Sequence, residues 1–246
     1  KRRTKSEDWR EGIMTADGKR TAAVVLAAGS GKRMGTAVHK QYLLIKDRPV
    51  IYYTLQAFED SEVDEVILVT GADEVDYCRK EIVEAYRFKK VRDVVAGGKE
   101  RYDSVYEGLK ALSGCDYVLI HDGARPLISR TLINANINCV QETKACITAV
   151  PAKDTIKVAD DNGYVADTPD RSRLWQIQTP QSFSYALVLE AYRKREEAMD
   201  GTMTDDAMVV EKYTSHPIRL LKGDYRNIKI TTPEDLVIAE AFLDNL

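Results

Sequence analysis

From Thr21 onward, short apolar runs alternate with stretches of helical spacing. The first run, TAAVVL over 21–26, is β-branched and apolar on both faces and stops at a glycine-rich stretch. A strand with no polar face reads as one buried inside a parallel sheet. Further strands are expected at 65–70, 91–95, 116–120 and 145–150. Between them, 49–57 is helical with proline in its first turn, and 74–86 is helical and charged on one face. Tyr102, Val105, Tyr106, Leu109 and Leu112 keep helical spacing, and 132–140 forms a further helix. Alternation of this kind predicts an α/β fold with a mostly parallel sheet and helices on both faces. Right-handed crossovers then gather the loops after the strands on one edge, where such sheets bind ligands.

Two segments depart from the alternation. Asp160-Asp-Asn-Gly163 separates the runs at 155–159 and 164–166. Asn-Gly between two such runs is a hairpin signal, because both residues tolerate positive φ. The sequence therefore predicts a β-hairpin arm over about 152–170. A two-stranded ribbon is marginal alone, so a second subunit is expected beneath it. Near the C-terminus, 227–231 (NIKIT) reads as a short strand. Thr232, Pro233, Glu234 and Asp235 then make a well-capped helix start.

Composition sets the boundaries of function. The chain has 246 residues, 36 basic and 39 acidic, for a net charge of −3. Seven of the basic and four of the acidic residues fall in 1–20, so 21–246 carries 29 and 35. That acidic balance argues against a nucleic-acid-binding surface. No apolar run approaches the ~18 residues of a membrane helix. Cys78, Cys115, Cys139 and Cys146 form no CxxC pair, which suits a reducing compartment over a zinc site or a disulfide framework. Residues 1–20 lack an apolar stretch and are expected to be a flexible extension or a remnant, with Met14 as a possible natural start. Residues 21–246 are expected to form one domain with its arm.

The chemistry is carried by the loops. Leu26-Ala-Ala-Gly29-Ser-Gly31-Lys32-Arg33-Met34-Gly35 follows the first strand. Glycines there let backbone amides approach phosphate oxygens, and Lys32, Arg33 and Lys40 supply countercharge. It is neither a Walker A loop nor the dinucleotide fingerprint, since the glycine spacing fits neither. His121-Asp-Gly-Ala-Arg-Pro126 places Asp122 at a strand end, where a carboxylate can hold Mg²⁺ beside phosphates, with Arg125 facing the same cleft. Capped-turn chemistry would also explain it. Gly97-Gly98 permits close approach to a flat ligand, and Ser104 can hydrogen-bond a base or phosphate. Arg101 and Asp103 read as a surface pair at a helix start. Lys229 reads either as a snorkelling surface lysine or as a site cation.

Taken in order, LAAGSGKRMG, KQYL, GGKERYDSV, HDGARP, VPAKDTIK, LWQIQTPQSF and NIKITTPEDL resemble the 2-C-methyl-D-erythritol 4-phosphate cytidylyltransferases of the non-mevalonate isoprenoid pathway. The resemblance runs from about residue 22 to the C-terminus. It implies a Rossmann-like nucleotidyltransferase fold, a homodimer joined through the arm, and Mg²⁺; the reducing compartment expected from the cysteines is the cytoplasm. It also implies CMP transfer from CTP to 2-C-methyl-D-erythritol 4-phosphate, with release of pyrophosphate. By carry-over, Arg33 and Lys40 would neutralise the triphosphate and Lys229 would hold the α-phosphate. Ala27, Ala28, Gly29, Gly31, Gly98, Lys99, Ser104 and Asp122 would bind the nucleotide, with Asp122 meeting the metal. Arg125, Thr155, Arg171 and Thr179 would grip the phosphorylated polyol, Thr155 and Arg171 in the neighbouring subunit's site. The chain departs from the family pattern at His39 and at Lys99.

Ribitol 5-phosphate cytidylyltransferases share the glycine-rich loop, QTPQSF and NIKITTP. What separates the two is the acceptor region, where Asp170-Arg-Ser-Arg-Leu-Trp-Gln176 and the Asn-Gly hairpin resemble the methylerythritol enzymes. A sugar-1-phosphate nucleotidyltransferase and a silent nucleotide-binding protein are more distant alternatives. The silent protein would be expected to lack Arg33, Lys40 or Lys229.

Overall fold

The computed structural model describes residues 18–29 and 39–244. Gly31, Arg33 and most of the 1–20 extension lie outside the described residues.

The chain runs β1 (Thr21–Leu26), β2 (Leu44–Ile45), β3 (Arg48–Pro49), α1 (Val50–Glu59), β4 (Glu65–Thr70), α2 (Val75–Tyr77), β5 (Val91–Ala96), α3 (Arg101–Ala111) and β6 (Tyr117–Asp122). It continues through α4 (Arg130–Thr143), β7 (Ala145–Pro151), β8 (Val158–Ala159), β9 (Val165–Asp167) and β10 (Trp175–Ser184). The remainder is α5 (Tyr185–Ala198), α6 (Asp206–Tyr213), β11 (Arg219–Lys222) and α7 (Pro233–Leu243). A seven-stranded sheet has the order β11-β7-β10-β6-β1-β4-β5. β10 alone is antiparallel to its neighbours, β6 and β7. The other neighbouring pairs are parallel.

The expected α/β fold is therefore present, with a core on each face. α3, α5 and α6 cover one side through Val105, Leu109, Val188, Tyr192 and Val210. α1 and α4 cover the other through Ile51, Leu55, Phe58, Ile133 and Ile137. β1 lies inside the sheet between β6 and β4, with Ala22, Ala23, Val24 and Val25 fully buried, as a strand covered on both faces requires.

Several expectations are corrected. The strand expected at 116–120 extends to Asp122, so His121 and Asp122 belong to the strand itself. The single helix expected at 74–86 is a short α2 that runs into a π-helical turn, Cys78–Glu84. The hairpin arm is present, but β8 is shorter than the run expected at 155–159, β9 is offset by one residue from that expected at 164–166, and both are exposed throughout. Residues 227–231 form no strand. Their backbone groups bond elsewhere: Arg125 Nη1 donates to the Asn227 carbonyl at 2.8 Å, and Ile230 N donates to the Ala124 carbonyl at 2.8 Å. β10 is a strand that the sequence patterning did not mark.

Candidate active site

β6 and β1 are neighbours in the sheet and β5 lies beyond β4, and the loops that follow these three strands enclose a cleft of about 340 Å³. Ala27, Ala28 and Gly29 leave β1 and form one wall, fixed by Gln41 Nε2 donating to the Ala27 carbonyl at 2.5 Å. Gly97 and Gly98 follow β5. A Cβ at Gly97 would fall 2.6 Å from Ser104 Oγ, and one at Gly98 would fall 2.3 Å from the Asp103 Cβ. Only glycine lets this loop fold back onto α3. Gly98 N then donates to Ser104 Oγ at 3.2 Å, and the hydroxyl donates to the Glu100 carbonyl at 3.1 Å. Ser104 therefore shapes the wall that it also lines.

Asp122, at the end of β6, is the floor. Lys229 Nζ lies 2.9 Å from Oδ2, Arg101 Nε 3.3 Å from Oδ1, and Arg125 Nε 3.7 Å from Oδ2. Burial alone would raise the Asp122 pKa. Arg101, Lys229 and Arg125 outweigh it and hold the carboxyl well below the usual carboxylate range. Asp122 is thus a fixed anion at the meeting point of three cations. Lys40 reaches the same cleft and donates to the Ile230 carbonyl at 2.9 Å. His39, beside it, has Nδ1 2.6 Å from Glu74 Oε1, so the chain entering Lys40 is tied to the segment after β4.

The structure brings together Ala27, Ala28, Gly29, Lys40, Gly98, Lys99, Ser104, Asp122 and Lys229 on one cleft. Arg125 stands behind Asp122. Thr179 is buried, and its hydroxyl accepts from Asp122 N at 3.1 Å and meets His121 Nδ1 at 3.0 Å. Thr155 and Arg171 are exposed at the root of the arm, where Arg171 Nη1 donates to the Lys153 carbonyl at 2.9 Å.

The surface pair that the sequence left open for Arg101 and Asp103 does not form. Arg101 has other partners. It lines the cleft, contacts Asp122, and is held by Asp206 from α6. Asp103 instead accepts from Arg195 at 3.0 Å. No local signal marks the Arg101–Asp206 pair, because its members lie 105 residues apart.

His121 shapes the site from behind. It is fully buried, and burial pushes its imidazole down to about 3, against the opposing pull of Asp122. An unfolded histidine titrates near ~6.5. The unfolded chain therefore takes up the proton first as pH falls, and stability declines from about pH 6.5 toward about 3. Between pH 5.5 and 4.5 the wild type is expected to lose about 1 kcal/mol more than a His121→Asn protein in urea titrations. Parallel losses in the two proteins would contradict this.

The chain matches the family model for 2-C-methyl-D-erythritol 4-phosphate cytidylyltransferase (IspD) over residues 21–245. It is 52% identical over 225 residues to the 2-C-methyl-D-erythritol 4-phosphate cytidylyltransferase of Lachnoclostridium phytofermentans, covering 92% of this chain and 97% of that one. Its counterpart in Lachnospira eligens is 54% identical over 224 residues, covering 90% and 98%. Among solved structures, 4-diphosphocytidyl-2C-methyl-D-erythritol synthase from Anaerococcus prevotii matches with a TM-score of 0.82 at 39% identity, over 93% of this chain and 97% of that one. The cytidylyltransferase of Thermus thermophilus matches at 0.74 and 29%, over 90% and 98%. The cation-lined cleft therefore lies on a nucleotidyltransferase scaffold, and the chain belongs to the 2-C-methyl-D-erythritol 4-phosphate cytidylyltransferase family.

Proposed function

We propose that this protein transfers CMP from CTP to 2-C-methyl-D-erythritol 4-phosphate, giving CDP-methylerythritol and pyrophosphate. The observation that carries this reading is the convergence of Arg101, Arg125 and Lys229 on Asp122, beside backbone walls open enough for a nucleotide. The acceptor phosphate is already ionised and attacks the α-phosphorus in line. A new P–O bond forms as the bond to the β-phosphate oxygen breaks, and pyrophosphate leaves with the electron pair. No general base is required. The demand on the protein is positioning and neutralisation of charge at the pentavalent centre. Lys229 and Lys40, with Arg33 from the glycine-rich loop, serve that demand. Ala27–Gly29, Gly31, Gly98, Lys99 and Ser104 hold the nucleotide.

The donor set also suits Mg²⁺. Among the described residues no cluster of three or more acidic, His or Cys groups forms a protein-only cage. Mg²⁺ is commonly held by one or two carboxylates together with substrate phosphates, and Asp122 would supply that carboxylate by exchanging one of its cation contacts for the ion. When bound, the ion would neutralise charge on the triphosphate oxygens.

The acceptor site is completed across a homodimer in this reading. Ile156, Val158, Tyr164 and Val165 leave apolar surface exposed on the arm, which suits burial against a second copy. Thr155 and Arg171 then reach the neighbour's cleft, while Arg125 and Thr179 serve from the chain's own side. Among the described residues, no helix is long and apolar enough to cross a membrane. Cys78, Cys115, Cys139 and Cys146 are free thiols, and we place the enzyme in the reducing cytoplasm.

Two tests follow. Purified protein with Mg²⁺ and CTP is expected to release pyrophosphate only when 2-C-methyl-D-erythritol 4-phosphate is present. Release without it, or none with it, would contradict the reading. Mixing Arg171→Ala chains with Lys229→Ala chains is expected to restore activity above either parent. No recovery from confirmed mixed dimers would show that each site is built from one chain.

A further inference from the structure

Asp206 is the first residue of α6 and has no solvent exposure. Its neighbour Asp205 is the helix cap, accepting from Met208 N at 2.9 Å. Asp206 has a different set of partners. Its two oxygens accept from Arg101 Nη1 and Nη2, each at 2.9 Å, and Oδ1 also accepts from the Tyr192 hydroxyl at 2.6 Å. The remaining donor nitrogen of the fork, Arg101 Nε, faces Asp122 Oδ1 at 3.3 Å. One guanidinium thus joins a fully buried carboxylate to the carboxylate at the floor of the cleft.

A two-pronged arginine–carboxylate contact fixes the plane of the guanidinium as well as its position. Fixing that plane aims Nε at Asp122 Oδ1. Asp122 Oδ2 is then left facing Lys229 at 2.9 Å and Arg125 at 3.7 Å. The negative charge of Asp206 also balances Arg101. An unbalanced guanidinium at this wall would swing toward an anionic ligand and release Asp122.

We propose that Asp206 is a positioning residue for catalysis, acting through Arg101 to hold Asp122 in register with Lys229. The inference rests on the cytidylyl-transfer reading above. Wild-type turnover tests that reading, and the variants below test Asp206 separately.

Asp206→Asn keeps the volume of the side chain but removes its charge and one acceptor of the fork. It is expected to lower kcat about 10- to 100-fold, the range seen when a supporting residue lets its partner drift. Direct titration is expected to show one CTP per chain, with affinity within about threefold of wild type. A merely structural defect would instead lower the binding stoichiometry in step with activity. The combined Arg101→Lys, Asp206→Asn protein is expected to be no slower than Arg101→Lys alone, because Asp206 acts through that guanidinium. Should Asp206→Asn fail to fold, Tyr192→Phe takes its place, since it releases only one hydrogen bond to Asp206. It is expected to lower kcat in the wild-type background and to have no effect in the Arg101→Lys background. A kcat within about twofold of wild type, losses that multiply with Arg101→Lys, or activity that tracks CTP stoichiometry would each overturn the proposal.

Discussion

Lys229→Ala is expected to lower kcat by a factor of about 10²–10³, the usual loss when one charge-stabilising donor is removed from a reacting centre. The ammonium lies 2.9 Å from Asp122 in the cleft, and its side chain is about one-third exposed. Asp122 keeps Arg101 and Arg125 in the variant, so no buried carboxylate is orphaned. Stability is expected to change by no more than about 1 kcal/mol. Charge that develops only at the α-phosphorus is felt in kcat, whereas charge already on bound CTP is felt in KM. A variant with raised KM and wild-type kcat would place Lys229 on the ground-state triphosphate.

The second large effect is on folding. Asp122→Ala leaves Arg125, nearly buried, without its anion, while Arg101 keeps Asp206. Removing one partner of a buried ion pair costs about 3–5 kcal/mol. For a domain of this size that lowers Tm by roughly 6–20 °C. The pH dependence fixes the sign. Asp122 has its pKa depressed in the fold, so its contribution is complete above about pH 4 and is lost as pH falls further. The stability gap between wild type and variant is therefore expected to close on acidification below about pH 4. A gap that widened there, or a Tm unchanged at pH 7, would show that the three cations do not depend on this carboxylate.

Local pattern made part of this legible. β1 announces itself because five of its six positions are apolar, the sixth is the β-branched Thr21, and the next residues are small. The chemistry-bearing loops could be placed because they follow such runs. β10 could not be read this way. It holds Gln178, Thr179, Pro180, Gln181 and Ser182 in a row, and proline normally argues against a central strand. Here the register shifts between Ile177 and Gln181, which accommodates it. The polar side chains are satisfied from distant elements: Gln181 bonds Asp205 and Ala207, Ser182 bonds Asn136, and Gln178 bonds the Asp224 carbonyl. Residues 227–231 fail in the opposite sense. Their alternating pattern suits a strand, but Arg125, Lys40 and Ala124 take the backbone groups that a neighbouring strand would have paired.

The same contrast holds in the cleft. Asp122, Ser104 and the glycines were recognisable because strand ends and tight loops carry local signatures. Arg101 and Asp206 were not, because each alone is an ordinary charged residue at a helix start. Only the fold brings them to 2.9 Å. Thr155 and Arg171 lie at the root of an exposed arm, and their place in the proposed site depends on a second chain that no single-chain pattern describes.

The most direct test of the account is a competition for the acceptor. Purified protein, CTP and Mg²⁺ are mixed with equal concentrations of 2-C-methyl-D-erythritol 4-phosphate and ribitol 5-phosphate. The CDP-esters are then separated and identified by mass. CDP-methylerythritol is expected as the dominant ester, formed in step with pyrophosphate. CDP-ribitol as the main product, or pyrophosphate without a CDP-ester, would contradict it.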